Sequence, residues 1–289
     1  MQNFSTYSYT SADLKRLPPR PEESNKGTFG RVLCVCGSLG MAGAAYFAAK
    51  SALRTGAGLC EILTPHENLP VLQILLPEAI VTPYDPAEPD MQSIEAAIGR
   101  ASAIVCGCGL GISRASRNVL TKVLRTSTVP TVLDADALNL ISRNPSLLKY
   151  AQGKIITPHP AEMSRLTQIP VEDIVSDNLN ICRDFADKHG LVCVLKSHRT
   201  AVSDGTDKIY VNASGNSGMA TAGSGDVLAG VIGGILAQNR EGKLTALNAA
   251  ALGVYIHGLA GDIAAGKTGK YSLIASDIID ALPLVLKDK

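Results

Sequence analysis

The chain has 289 residues, of which 46% are hydrophobic and 18% are charged, enough apolar material to bury the core of one large α/β domain. Lys and Arg number 27 against 26 Asp and Glu, so no strong electrostatic field attracts nucleic acid or an acidic membrane surface. Small molecules are therefore the expected partners. The first residues are not a basic segment followed by an apolar stretch, so no secretory signal is predicted. The apolar stretch 246–260 is shorter than the roughly 20 residues that span a membrane. We expect a soluble, cytoplasmic protein that binds neither nucleic acid nor membrane.

The first residues differ in pattern from the rest of the chain. Residues 1–25 are polar, Pro-rich and weakly patterned, so we predict an N-terminal arm followed by a single domain at 26–289. The apolar run RVLCVCGS, the small-residue helical stretch MAGAAYFAAKSALRTGAG and the apolar run LCEILTP then follow one another. This order predicts a β-α-β unit.

The same alternation continues along the chain. Further strands are predicted at ASAIVCGCG, TVLDAD, KIITPH and LVCVLKS, with a helix at 114–125. Strands that alternate with helices indicate a mainly parallel sheet with helices on both faces. TAVSDG and KIYVNAS indicate a hairpin that adds an antiparallel edge. Three helices are predicted to close the chain, at 226–238, 245–264 and 276–286.

The cysteines are those of a reduced protein. They number seven, include no Cys-x-x-Cys pair, and twice lie two residues apart inside apolar runs, at Cys34/Cys36 and Cys106/Cys108. No histidine is near these pairs in sequence, which disfavours a metal site. Buried, reduced cysteines are therefore predicted.

The stretch GMATAGSGDVLAGVIGGILAQ places a run of small residues and one acid, Asp226, before an apolar helix. A helix that starts near Gly225 presents free amides and a positive dipole end to a phosphate. Beside that phosphate, Asp226 suits a general base that takes a proton from an attacking hydroxyl, although it could instead only complete the helix start. At a helix start this carboxylate is expected to be ionised near neutral pH. Close packing is predicted for Gly230, Gly233 and Gly234, which lower helix propensity without serving the anion.

Other polar stretches follow the predicted strands, where ligands bind in open parallel sheets. GSLGMAGAA has the spacing G-x-x-G-x-x-G, which differs from the dinucleotide fingerprint G-x-G-x-x-G. Asp134, Asp136 and Asn139 could hold substrate hydroxyls or a hydrated magnesium ion, or Asp136 could only cap the next helix.

Two further strand ends carry histidine. His159 lies between two prolines with Glu162 nearby, and it either contacts ligand or is structural. The stretch KSHRT at 196–200 offers positive charge to a nucleotide phosphate, or it forms a solvated turn. His66, His189 and His257 have no metal-site or triad spacing, so surface or helix packing is expected for them.

Together these stretches resemble the ADP/ATP-dependent NAD(P)H-hydrate dehydratases, repair enzymes related to the ribokinase-like small-molecule kinases. The resemblance covers nearly all of the chain from Lys26 onward and rests on KGTFGRVLCVCGSLGMAGAA, SALRTGAGL, GCGLG, VLDADALNL, ITPHPAEMSRL, VLKSHRT and GMATAGSGDVLAGVIGGILAQ. It implies a ribokinase-like three-layer α/β/α sandwich that uses a nucleotide to dehydrate hydrated NADH or NADPH (NADHX or NADPHX). In bacterial-type members the phosphate donor is usually ADP rather than ATP, giving AMP and phosphate.

The resemblance also implies roles for matching residues. Asp226 matches the catalytic acid of the family's GSGD motif, and Gly223, Ser224 and Gly225 match its anion hole. Contacts to the hydrated coenzyme are implied for Ala42, Gly111, His159 and Asp226. Contacts to the nucleotide are implied for Lys196, Ser197, His198, Arg199, Thr200 and Gly225. The kinases' N-x-x-E magnesium motif appears here as His159-Pro160-Ala161-Glu162, so Glu162 is the candidate for organising Mg²⁺, directly or through water.

Partners and rival functions follow from the same resemblance. The epimerase domain often fused ahead of this module has no counterpart in the roughly 25 residues before the match, so a separate epimerase is expected to supply the S epimer. A homo-oligomer is expected, in which the Ala/Gly-rich helix 245–264 could pack between subunits. The rival enzyme is a ribokinase-like kinase of a hydroxymethylpyrimidine, a hydroxyethylthiazole or a sugar, and a nucleotide-binding regulatory protein is the alternative without catalysis.

Overall fold

The computed structural model describes residues 4–287, and within them ten strands form one sheet. The strands are β1 (Ser5–Tyr7), β2 (Arg31–Val35), β3 (Leu59–Pro65), β4 (Ile80–Tyr84), β5 (Ala103–Cys106), β6 (Thr131–Leu133), β7 (Ile155–Ile156), β8 (Val192–Leu195), β9 (Ala201–Ser203) and β10 (Lys208–Val211). Their order in space is β1-β10-β9-β8-β7-β6-β5-β2-β3-β4. The strands from β8 to β4 in this order are all parallel, which confirms the mainly parallel sheet.

Helices cover both faces of the sheet. They are α1 (Ala42–Arg54), α2 (Leu69–Leu75), α3 (Met91–Arg100), α4 (Arg114–Thr126), α5 (Asp136–Arg143), α6 (Pro160–Thr167), α7 (Val171–Ser176), α8 (Asn178–His189), α9 (Ser224–Gln238), α10 (Ala246–Thr268) and α11 (Ala275–Leu286). Alternate residues of β2 divide between two cores: Val32 packs with α1, α9, α10 and α11, and Leu33 packs with α3, α4 and α5. The three-layer sandwich is therefore confirmed.

The edge beyond β8 is more complex than a predicted hairpin. β9 is antiparallel to both β8 and β10, as predicted. The outermost strand, however, is β1, which comes from the N-terminal arm and pairs in parallel with β10. The opposite edge strand, β4, was also not predicted; it contains Pro83, which cannot donate a ladder hydrogen bond and is tolerated at an edge.

Helix α9 lies directly against α1. A Cβ on Gly230 would collide with the carbonyl oxygen of Ala48, and one on Gly234 would lie 2.7 Å from that of Ala52. On the sheet side, a Cβ on Gly233 would collide with the side chain of Val105. These contacts confirm the close packing predicted for the three glycines.

Helix α10 is long and apolar enough to span a membrane by length and composition. Its most apolar stretch is 72% buried inside the protein, as in a core helix. The predicted helix 245–264 therefore exists but extends to Thr268. All seven cysteines are free and buried, as predicted.

Candidate active site

The loops after β2, β5, β6, β7 and β8 emerge at one edge of the sheet, because these strands are parallel neighbours. The start of α9 lies at the same edge, since a Cβ on Gly225 would be 3.4 Å from Lys196 Nζ and 3.8 Å from Asp134 Oδ2. Strand-end residues that are far apart in sequence are thus brought to the first turn of one helix.

The first turn of α9 is shaped to receive an anion. Gly223 precedes the helix with φ 86°, a left-handed conformation that favours glycine. A Cβ there would also lie 2.6 Å from Phe47 Cε2, so a larger residue does not fit. The helix begins at Ser224, one residue before the predicted start, and its first amides are free of intrahelical partners.

Burial and neighbouring groups together set the charge of Asp226. Its carboxylate lies in a cluster with Cys108 and Asp134, whose potential ligand atoms are all within 4.8 Å of one another. Burial, followed by the nearby charges of Asp134 and Cys36, raises the pKa of Asp226 to about 7. A carboxyl group with this pKa is only partly ionised near neutral pH, less than the ionised state expected from its place at a helix start, because burial favours the neutral form.

Lys196, which follows β8, contacts acidic residues that follow β6 and β7. Its Nζ donates to Asp134 Oδ1 at 2.8 Å and lies 3.8 Å from Glu162 Oε2. Thr157 Oγ1 donates to the same Asp134 oxygen at 2.6 Å. Burial disfavours the ammonium, but Asp134 and Glu162 outweigh it and raise the pKa of Lys196. Lys196 is therefore a charged group held at the start of α9, 20% exposed and open to an anion.

His159 and Glu162 form a capping box at the start of α6. The Nδ1 of His159 accepts from the amides of Ala161 and Glu162, and Glu162 Oε2 accepts from the amide of His159 at 2.8 Å. Burial, Lys196 and Arg165 lower the pKa of His159, so its imidazole is neutral and carries its proton on Nε2. Burial raises the pKa of Glu162. His159 thus has a structural role, and its 46% exposure leaves the ring open to a ligand as well.

Gly111 and Ala42 lie at the same edge of the sheet, Gly111 in the loop that follows β5 and Ala42 after the loop that follows β2. The amide of Gly111 donates to Asp136 Oδ2 at 2.8 Å, so Asp136 links two loops; it is the first residue of α5, and no side-chain hydrogen bond caps that helix. The other oxygen of Asp136 accepts from Asn139 at 3.1 Å. Ala42 is the first residue of α1, against which the loop of Gly111 packs: a Cβ on Gly109 would lie 2.8 Å from that of Ala44.

Ala135 sets the directions of its two acidic neighbours. Its φ of 49° is unusual for a residue with a Cβ and costs on the order of 1 kcal/mol. With this backbone, Asp134 contacts Lys196 and Asp136 contacts Gly111. Strain at this position is consistent with a functional loop.

The residues of the stretch KSHRT, at 196–200, differ in their exposure to solvent. Ser197, His198 and Arg199 are exposed, whereas Thr200 is buried. Ser197 Oγ accepts from the amide of Arg199 at 3.1 Å, and Thr200 Oγ1 donates to the carbonyl of Ser197 at 3.2 Å. Lys196 thus joins the acidic cluster, while the next three residues form a turn at its rim. Their nucleotide contacts stay predictions.

Several groups at this edge were not named as site residues from the sequence. Asp134 was noted only as one of three oxygen donors, and its pairing with Lys196 was not predicted. Cys108 Sγ, predicted only as buried, lies 3.8 Å from Asp134 Oδ2. His257 Nε2 lies 3.4 Å from Ser224 Oγ, and burial lowers the pKa of His257 to about 4, so a neutral ring lies beside Ser224 at the start of α9. In the sequence, the only indication that Asp134 belongs to the site is its position at the end of a strand.

The site offers oxygen ligands of the kind that Mg²⁺ prefers. Glu162 and Asp134 present buried carboxylates on either side of Lys196. Because the Lys196 ammonium lies between them and already contacts both, Mg²⁺ would be held there best through its waters. The Cys108 thiol of the neighbouring cluster is a ligand for softer metals, which favours the Glu162 side for magnesium.

Comparison with known proteins agrees with this architecture. The family model described as NAD(P)H-hydrate dehydratase matches residues 32–284. An ADP-dependent (S)-NAD(P)H-hydrate dehydratase of Neisseria meningitidis is 40% identical over 91% of this chain and 86% of its own length. The chain spans about half the length of other curated relatives, which are bifunctional NAD(P)H-hydrate repair enzymes.

Solved structures have the same fold. A ribokinase-like superfamily protein of Enterococcus faecalis superimposes with a TM-score of 0.86 at 30% identity, over 98% of this chain and 96% of its own. The ADP/ATP-dependent NAD(P)H-hydrate dehydratase of Bacillus subtilis, co-crystallised with ATP and Mg²⁺, superimposes with a TM-score of 0.81 at 29% identity, over 96% and 97% of the two chains. With its ribokinase-like fold and a family match over most of its length, the chain belongs to the NAD(P)H-hydrate dehydratase family.

Proposed function

We propose that the protein uses ADP to dehydrate the S epimer of hydrated NADH or NADPH, giving the reduced coenzyme, AMP and phosphate. The observation that carries the proposal is the first turn of α9, where Asp226, with a pKa of about 7, adjoins a glycine-rich anion hole. Lys196 supplies a fixed positive charge beside Gly225. The named activities of the relatives in Neisseria meningitidis and Bacillus subtilis support the same reaction.

The chemistry begins with proton transfer to Asp226. As Asp226 takes the proton of the ring hydroxyl, that oxygen bonds to the terminal phosphorus of ADP and the bond to the AMP oxygen breaks. The amides of Gly223, Gly225 and Asp226 hold the transferred phosphoryl group. Glu162 would hold Mg²⁺, directly or through water, and the ion would neutralise phosphate charge there.

Elimination then restores the ring. The ring nitrogen supplies the electron pair that breaks the carbon–oxygen bond, and phosphate leaves where hydroxide would leave poorly. Loss of a proton from the adjacent ring carbon completes the double bond. The phosphate ester is thus a transient species, whereas a small-molecule kinase would release it as product.

The direct test is recovery of the reduced-nicotinamide absorbance band. Purified protein is mixed with hydrated NADH and Mg²⁺, and with ADP, with ATP or without nucleotide. Recovery that requires ADP and releases AMP and phosphate is the expected result, and hydrated NADPH tests the second coenzyme. Folded protein that binds ADP but restores no absorbance would contradict the proposal and favour a small-molecule kinase.

The pH dependence of turnover is expected to follow Asp226. Because the base must be deprotonated and its pKa is about 7, kcat/KM should fall about tenfold per unit of pH below that value. The measurement is a pH–rate profile from pH 5.5 to 8.5 at saturating Mg²⁺. A rate that stays flat down to pH 5.5 would show that no group with this pKa has to be deprotonated.

Asp136→Ala is expected to weaken binding of the hydrated coenzyme. The change removes the acceptor of the Gly111 amide, and a hydrogen bond of about 1 kcal/mol corresponds to about a fivefold rise in KM. The KM for ADP should change by less than about twofold. Asp136→Asn retains an oxygen acceptor and should restore most of the affinity. An equal rise in both KM values, or no rescue by asparagine, would contradict a role through Gly111.

The cellular setting is part of the same proposal. Seven free cysteines favour a reducing compartment such as the cytoplasm. A separate epimerase would interconvert the hydrate epimers and supply the S epimer. Light scattering of the purified protein tests the expected homo-oligomer.

A further inference from the structure

A cavity of about 510 Å³ lies at the end of the molecule opposite the candidate active site. Its walls come from the N-terminal arm at 14–20, from the end of α1, and from the last residues of α9 and α11. This volume is within the range of small-molecule sites, roughly 300–1,000 Å³.

The lining combines apolar walls with positive charge. Leu17, Pro18 and Leu286 contribute apolar surface, and Lys15, Arg20 and Arg54 contribute the charges. Among the residues that line the cavity in the described part of the chain, none is Asp or Glu. An anion with an apolar body therefore matches the cavity in both respects.

The three cations differ in how they are held. The guanidinium of Arg20 stacks 3.6 Å from the Phe29 ring and donates to the carbonyl of Gly56 at 2.8 Å, so it is part of the wall. Within residues 4–287, neither Lys15 nor Arg54 forms an ion pair. Two positive charges therefore remain available to an anionic head group.

The cavity is joined to the active site by two helices that begin there. α1 starts at Ala42 and α9 starts at Ser224, and both end at the cavity. Gln238, at the end of α9, is hydrogen-bonded to the end of α1, because its Nε2 donates to the carbonyl of Thr55 at 3.0 Å. Gln238 lies 12 residues after Asp226 on α9, which places the cavity about 18 Å from Asp226, at about 1.5 Å per residue. Because α1 and α9 pack backbone against backbone, a ligand at their ends acts on both together.

We propose that this cavity is an effector site for a medium-chain carboxylate. The alkyl chain lies along Leu17, Pro18 and Leu286, and the carboxylate is bound by Lys15 and Arg54. Occupancy fixes the arm against the ends of α1 and α9, which changes turnover at their other ends. The turnover part rests on the proposed dehydratase function, whereas the binding part does not.

The binding test is calorimetric titration of the whole protein with octanoate, with 1-octanol as the uncharged probe of equal chain length. Octanoate should bind saturably, and at least about tenfold more tightly than 1-octanol. Arg54→Glu and Lys15→Glu should each weaken octanoate binding by about tenfold or more. Lys188→Glu is the matched control, since Lys188 is an exposed cation on α8 in the opposite helix layer.

The turnover test is ADP-dependent coenzyme recovery with and without saturating octanoate. A change in kcat/KM of at least about twofold in the wild type, absent in Arg54→Glu, is expected. No saturable binding, equal binding of 1-octanol, or unchanged binding to both charge-reversal variants would overturn the site. Saturable binding with unchanged turnover would overturn the effector role. Because calorimetry needs no catalysis, an inactive protein would refute the proposed function without affecting the binding result.

Discussion

Replacing Asp226 with asparagine should reduce ADP-dependent recovery of the reduced coenzyme by about 100-fold or more while the protein still folds. Asparagine keeps the size of the side chain at the start of α9 but cannot accept the hydroxyl proton. The anion hole and Lys196 are unchanged, so ADP should still bind. The measurements are kcat by absorbance recovery and the Kd for ADP by calorimetry.

The control for this variant is Asp280→Asn on α11, whose side chain is 65% exposed. It should keep wild-type turnover. Turnover of Asp226→Asn within about threefold of wild type would refute the assignment of the base. Loss of ADP binding together with turnover would instead show that the change had damaged the anion hole.

The same variant should be at least as stable as the wild type above pH 7. Burial raises the pKa of Asp226 from 3.8 to about 7, so between these values the folded state binds the proton more tightly than the unfolded chain. Wild-type stability contributed by this group therefore falls as the pH rises through that window, and asparagine avoids the loss. Denaturant unfolding at pH 5 and pH 8 should show a larger advantage of the variant at pH 8, because the loss is only partly developed at pH 5.

Replacing Lys196 with methionine should lower the free energy of unfolding by about 3 kcal/mol at pH 8, because it leaves two buried carboxylates without their cation. Asp134 loses a 2.8 Å ion pair, and Glu162, whose pKa is already raised by burial, loses its nearest positive charge. ADP binding should weaken as well, since Lys196 is the fixed charge beside Gly225.

The pH dependence of this loss identifies its cause. An acid whose folded pKa is raised is penalised above that pKa, and the penalty disappears as the pH falls and the group is protonated. The destabilisation should therefore be smaller at pH 5 than at pH 8. Lys188→Met, at an exposed position on α8, should cost less than about 0.5 kcal/mol at either pH. A loss that is equal at both pH values would indicate lost packing rather than unpaired carboxylates.

The candidate site was partly accessible from the sequence because parallel topology constrains where strands end. Once alternating strands and helices are recognised, the residues after each strand must share one edge of the sheet. This reasoning correctly brought Lys196 and the loop of Asp134 together, and the family resemblance added Gly225. It could not choose among side chains within a loop: Asp134 contacts Lys196 and Asp136 contacts Gly111 because of the unusual backbone at Ala135.

What the sequence by itself determined is the α/β layering, the parallel core of the sheet, and the family. Hydrophobic periodicity is a local property of the sequence. The GSGD stretch and the other family motifs can likewise be recognised from the sequence alone. Only the tertiary structure decided the rest. The pairing of Lys196 with Asp134, 62 residues away, and that of β1 with β10 join short segments that carry no periodic signal. The pKa of Asp226 was decided there too, because burial and neighbouring charges exist only after the chain has packed.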